Sequence, residues 1–269
     1  MSRRAPISPR PPLSQLATLA LTALLLAACA TSLNAQRNAE KKAAQSRDAA
    51  AYNVQLGIAY MNQGELARAK DKLDRAVTQD PENADVRSAR AMLFQRMGDT
   101  AKADAEFRAA LRLAPQDPKV VNNYAVYLCQ NGRTDEGVKR FLEAARNPLY
   151  LTPEVAYTNA GVCLRAAKRD EEARTDFTRA LQVRPSFAEA AFQLADLEFR
   201  RGELTSAHTL IDAFNGTYSA TPDLLLLGVR VARAQGDRAA AQRYARRLQL
   251  DFPDTDQARA LAALDHNPG

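Results

Sequence analysis

The chain has 269 residues, 46% hydrophobic and 25% charged, which is ordinary for a globular protein and long enough to bury a large core. Its formal charge is +6, but Arg3, Arg4 and Arg10 stand near the start with no acid among them, which leaves +3 for the remainder. That balance, with no lysine–arginine block interleaved with aromatics, argues against nucleic acid and leaves a solvated surface or weak attraction to an anionic membrane or cell wall.

Residues 1–28 read as a secretory leader. Arg3, Arg4 and Arg10 form its basic region, Leu13 to Leu26 its apolar stretch, and Ala27 and Ala28 are small residues before a cleavage point. The apolar run is shorter than the roughly 20 residues a spanning helix needs, which disfavours a transmembrane anchor. Leu26-Ala27-Ala28-Cys29 resembles a bacterial lipobox. That resemblance implies acylation of the Cys29 thiol and of the new amino terminus, with several acyl chains giving stable anchoring. Ala30 follows where aspartate often retains lipoproteins at the inner membrane, so the resemblance favours the outer membrane, with the chain facing the periplasm. An ordinary secreted protein with a chance cysteine is the alternative. Residues 29–49 are polar and read as a lipidated tether, helical towards its end or simply extending the first helix.

From residue 50 onward the chain repeats. Alanine is abundant, only 11 glycines occur and tryptophan is absent, which favours helices packed closely through small residues. Six segments carry the same pattern of large, small and aromatic positions: 50–83, 84–117, 118–151, 154–187, 188–221 and 222–253. The first holds Leu56, Gly57, Tyr60, Ala69, Leu73, Ala76 and Pro81; the fourth holds Ala160, Gly161, Leu164, Ala173, Phe177, Ala180 and Pro185. The period of 34 matches the tetratricopeptide unit, a helix-turn-helix that stacks into a solenoid. The expected fold is therefore an all-α, right-handed tetratricopeptide solenoid of about six hairpins, closed by a capping helix over 254–264. Thr152 and Pro153 are an insertion between the third and fourth repeats, and the last two repeats are degenerate.

The insertion bears on the cysteines. With Cys29 acylated, Cys129 and Cys163 remain. Cys129 falls at position 12 of its repeat and Cys163 at position 10 of the next. Two residues on a helix differ by about 200° in direction, so the side chains can face each other between neighbouring first helices. A disulfide between Cys129 and Cys163 is expected, against the alternative of two buried free thiols.

The first helix of each repeat lines the concave face of such a solenoid. Helical spacing puts Val54, Ile58, Met61 and Met92 there as an apolar, adaptable strip suited to a partner's helix. Asn122, Val126, Thr158 and Val162 continue it, followed by Arg165, Phe192, Asp196 and Phe199. Some of these residues could equally pack between repeats. Arg165 and Asp196 are candidates to hold polar groups of a bound peptide, or are simply solvated charges.

No catalytic constellation stands out. His208 and His266 are the only histidines, no HExxH or CxxC occurs, and neither a metal nor a cofactor nor a small-molecule substrate is implied. The lipobox, the six repeats, the run Asn122-Asn123-Tyr124 to Cys129, Asn147-Pro148-Leu149-Tyr150, Asn159-Ala160-Gly161-Val162-Cys163 and Leu224 to Ala232 together resemble the type IV pilus biogenesis/stability lipoproteins, the PilF/PilW pilotins. Ala125 departs from the glycine common at its place in a repeat, which puts local helix packing in question. The resemblance implies a scaffold rather than an enzyme, assisting localisation and multimerisation of the outer-membrane secretin of the pilus. Another periplasmic tetratricopeptide lipoprotein, serving outer-membrane protein or cell-wall assembly, is the alternative.

Overall fold

The computed structural model describes the backbone of residues 13–266 and the side chains of 34–263. Residues 1–12 of the expected leader and the side chain of Cys29, the expected acylation site, lie outside the described residues. The chain is all-helical over the described residues and divides into two compact units between Glu82 and Asn83.

The first unit is one helical hairpin, α1 (Leu13–Asn62) and α2 (Leu66–Gln79). No glycine or proline interrupts residues 13–56, and the segment is rich in Ala, Leu, Gln, Arg and Lys, so α1 runs on without a break. Residues 29–49 are therefore helical throughout and extend the first helix, which is the second of the two expectations for that segment. Contact with α2 begins inside that segment. Ser46 Oγ donates to the Gln79 carbonyl at 2.8 Å and Asn53 Nδ2 to Gln79 Oε1 at 2.8 Å, and Ala50 is fully buried. Among the described residues no helix is long and apolar enough to cross a membrane.

The second unit stacks five hairpins and a last helix into a solenoid. These are α3 (Ala84–Arg96) with α4 (Thr100–Leu113), α5 (Pro118–Gln130) with α6 (Thr134–Arg146), and α7 (Pro153–Ala166) with α8 (Asp170–Val183). Then come α9 (Ala188–Arg200) with α10 (Leu204–Thr217), α11 (Pro222–Gln235) with α12 (Arg238–Asp251), and α13 (Asp256–His266). Local chemistry sets the starts. Asn83, Asp99, Asp117, Thr221 and Asp237 accept hydrogen bonds from free amides of the first turn, and Pro118, Pro153 and Pro222 open their helices.

One contact recurs inside every hairpin. A glycine or alanine of the first helix meets a large residue sixteen positions later in the second: Gly57–Leu73, Ala91–Phe107, Ala125–Phe141, Gly161–Phe177, Ala195–Ile211 and Gly228–Tyr244. A Cβ on Gly161 would lie 2.5 Å from the Phe177 ring, and one on Gly57 would lie 2.6 Å from Leu73. Ala125, the departure from glycine, is fully buried against Phe141, so the third hairpin closes around a methyl group.

The turns inside the hairpins carry glycine in the left-handed region, with φ between +75° and +80° at Gly64, Gly98, Gly132, Gly202 and Gly236. The fourth hairpin places Lys168 there instead, at φ +61°. A side chain costs about 1–2 kcal/mol in that conformation, and glycine's own unfolded-state freedom returns part of it. Lys168→Gly is expected to raise stability by about 1 kcal/mol, read as a higher urea midpoint. An unchanged midpoint would mean that the lysine side chain offsets the strain.

Candidate protein-binding face

In the first unit, Val54 and Ile58 are half-buried on α1, but Met61 is only 3% exposed. At 100° per residue Met61 projects about 20° from Ala50 and about 40° from Gly57, within the stripe that faces the hairpin core. Met61 is therefore a core residue, and its expected place on a docking strip is corrected; Val54 and Ile58 lie along one side of that stripe.

In the second unit, α3, α5, α7 and α9 present Met92, Val126, Val162 and Asp196 at the same position of successive repeats. Between α3 and α5 a cleft of about 430 Å³ is lined by Met92, Gln95, Arg96, Asn123, Val126 and Gln130. Paired side-chain amides and hydroxyls join the helices here: Asn123 Nδ2 donates to Ser88 Oγ at 3.2 Å, and Gln95 Nε2 donates to Gln130 Oε1. Each amide has further donor and acceptor capacity beyond the bond it makes here. At the next step, Asn159 Nδ2 donates to Asn122 Oδ1 at 3.4 Å, and Cys129 is disulfide-bonded to Cys163 with Cα atoms 5.6 Å apart. A Cβ on Gly137 of α6 would come within 2.3 Å of Cys129 Sγ, so only glycine lets α6 close over the sulfur.

Between α7 and α9 a second cleft, about 390 Å³, is lined by Val162, Arg165, Ala166, Asp170, Leu197 and Arg200. Asp196 does not open to it. It is 4% exposed, and its carboxylate accepts from Arg165 at 3.2 Å and from Arg200 at 2.8 Å. The expected peptide-binding role of Asp196 is thus corrected: it is a buried counter-ion that positions two arginines at the cleft. Thr158 is also buried, its hydroxyl donating to the Glu154 carbonyl at 2.8 Å. Phe192 is half-buried against the core of the last hairpins, and the Phe199 ring lies 5.3 Å under the Arg230 guanidinium.

A buried carboxylate also ties consecutive repeats. Glu198 of α9 is 3% exposed and accepts from Arg174 of α8 at 2.8 Å. Burial pushes its carboxyl above the ordinary value, and hydrogen bonding with Glu203 adds to the shift against the pull of Arg174.

Sequence periodicity missed Gln95, Asn123, Gln130 and Arg200. Their polar side chains alternate with the apolar stripe, and only the stacking brings them together. It also missed a cleft of about 840 Å³ beside the inter-repeat loops, lined by Pro115, Pro118, Lys119, Leu149, Tyr150 and Leu151 among others. Leu149 and Leu151 are 76% and 91% exposed, and both precede the Thr152-Pro153 insertion. Among the described residues no group of three His, Cys, Asp or Glu side chains could hold a metal ion.

Known proteins resemble the chain along most of its length. The tetratricopeptide repeat family matches residues 54–118, 88–150 and 171–220. The type IV pilus assembly protein PilF of Pseudomonas aeruginosa is 31% identical over 234 residues, covering 87% of this chain and 92% of PilF. The solved structure of Pseudomonas aeruginosa PilF aligns with a TM-score of 0.61 at 29% identity, over 81% of this chain and 99% of that one. The structure of PilW, described as a widely conserved type IV pilus biogenesis factor, gives a TM-score of 0.61 at 28% identity, over 79% of this chain and 98% of that one.

Proposed function

The chain belongs to the tetratricopeptide-repeat family of type IV pilus assembly proteins represented by PilF and PilW, and from that premise we propose that it is a lipid-anchored pilotin. In this reading Cys29 carries the acyl anchor at the periplasmic face of the outer membrane. The helical scaffold then holds a segment of the pilus secretin near the membrane at high effective concentration, which assists its localisation and its assembly into a ring. No bond is made or broken; the function is binding.

The observation that carries the reading is the α3–α5 cleft. Met92 and Val126 give apolar contact, while Gln95, Asn123 and Gln130 offer unused amide donors and acceptors for a partner's backbone. The arginines held by Asp196 supply positive charge two helices further on.

The test is co-purification of the lipidated protein with outer-membrane partners. The secretin is expected to co-purify with the unaltered chain and to be lost with Met92→Glu combined with Val126→Glu, two half-buried positions, with the thermal melt of the variant checking that it folds. Cys29→Ser is expected to leave a folded but mislocalised chain and fewer secretin multimers. Normal secretin multimers and normal pili in a strain lacking the gene would overturn the reading.

A further inference from the structure

Most arginines of the second unit are neutralised by a nearby carboxylate. Arg87 and Arg90 share Glu106, Arg133 bonds Glu136 at 2.6 Å, and Arg169 bonds Glu172 at 2.7 Å. Helix α12 breaks this habit. Its core side is Ala240, Ala241, Tyr244 and Leu248. Its opposite face, an arc of roughly 140° at 100° per residue, carries Arg238, Gln242, Arg243, Arg246, Gln249 and Leu250. All six are exposed, and no acid shares the arc. Among the described residues, the side chains of Arg238, Arg243 and Arg246 make no hydrogen bond or ion pair. The acids around them are committed elsewhere: Asp237 caps the Ala240 amide, Asp251 pairs with Arg247 at 3.2 Å, and Asp212 accepts from the Tyr244 hydroxyl.

We propose that this face of α12 lies on an anionic phospholipid surface, its three free guanidinium groups bonding lipid phosphates. Guanidinium presents a planar fork that matches phosphate geometry, and each basic group near an anionic surface adds attraction that salt screens. The stripe is a single straight helix face about 12 Å long from Arg238 to Arg246, with no cleft of those described above upon it. Such a face suits a flat surface better than an inserted peptide. Leu250, 73% exposed at the end of the stripe, offers an apolar group to the interface. The choice of a bilayer over an acidic protein rests on the lipid-anchored reading; the lipid contact itself does not depend on any role in pilus assembly.

The test uses the full chain with Cys29→Ser, so that no acyl group contributes, sedimented with vesicles of phosphatidylcholine alone or mixed with phosphatidylglycerol. Binding is expected to rise with phosphatidylglycerol and to fall in high salt. Adding Arg238→Glu, Arg243→Glu and Arg246→Glu to the same chain is expected to weaken binding to the anionic vesicles at least about tenfold, without changing the thermal melt. Comparison within one background cancels any contribution of the leader. Equal binding of the two chains, or equal binding to both vesicle types, would overturn the proposal. So would loss of an acidic protein partner from the triple variant while its vesicle binding stays intact. Secretin assembly, measured separately, would report on the pilotin reading alone.

Discussion

Replacing both Cys129 and Cys163 with alanine is expected to lower the stability of the second unit by about 3–4 kcal/mol. The bond closes a loop of 34 residues, and in the chain-entropy model the loss scales with the logarithm of that length. It joins α5 to α7, the first helices of consecutive hairpins, so the lost energy falls on one interface of the stack. Stability in a repeat array is the sum of hairpin terms and nearest-neighbour interfaces. The double variant is therefore expected to unfold at a lower urea midpoint and over a broader transition, with protease cutting first near the Asn147–Pro153 connection. Cys163 is 5% exposed and Cys129 half-buried, so a reductant acts slowly on the folded chain, and the variants read the effect directly. A midpoint and transition width equal to those of the unaltered chain would show that packing alone holds the α5–α7 step. Gly137 offers a second reading of the same place. Gly137→Ala is expected to be more damaging with the sulfur present than in the alanine variant, because the new methyl group collides with Cys129 Sγ.

How much of this was legible in the sequence follows from which interactions are periodic. The hairpins, their turns and their small-against-large contacts recur at fixed spacing, so Gly64, Gly98 and Gly132 mark turns, and Gly57 and Gly161 mark close approaches, before any coordinates exist. Lys168 hides one such turn because the conformation survives there at a cost, without its usual residue. The limit of α1 was illegible for a different reason: a polar segment without Gly or Pro can be tether or helix, and the contacts of Ser46 and Asn53 with Gln79 settle that it packs as helix. On the candidate face, helical periodicity identified the helices and the apolar members Met92 and Val126. It could not tell Asp196 the buried counter-ion from an exposed acid, because Arg165 lies a repeat away in sequence. It also misplaced Met61, whose direction lies about 20° from buried Ala50 and equally about 20° from half-buried Val54. Amide partnerships such as Gln95 with Gln130 arise from the register between stacked helices, which no single repeat encodes.

The other large expected effect lies where the periodic contact is tightest. Phe177 is fully buried, packs against Leu164, Ala173 and Leu197, and covers the bare Cα of Gly161. Phe177→Ala removes a ring from a site that rigid helices cannot refill, so a loss of about 3–5 kcal/mol is expected, with a correspondingly lower urea midpoint. Gly161→Ala approaches the same contact from the other side. Its methyl group would lie 2.5 Å from the ring, and α7 and α8 must part to admit it, at a cost of about 1–3 kcal/mol. The two losses are not expected to add. Gly161→Ala with Phe177→Leu replaces a glycine–ring contact by a methyl group against a smaller side chain, and Ala195 against Ile211 shows that this fold closes around such a pair. The double variant is therefore expected to be more stable than the sum of the single losses, a coupling of about 1 kcal/mol or more. Strict additivity in the urea midpoints would mean that Gly161 is required by the backbone of α7 rather than by Phe177. Leu197 extends the consequence to the next hairpin. It packs beside Phe177 and also lines the α7–α9 cleft with Arg165 and Arg200, so Phe177→Ala is expected to loosen the wall of that cleft while leaving the α3–α5 cleft intact. Hydrogen exchange would read this as faster exchange in α7 to α9, with α3 and α5 unchanged.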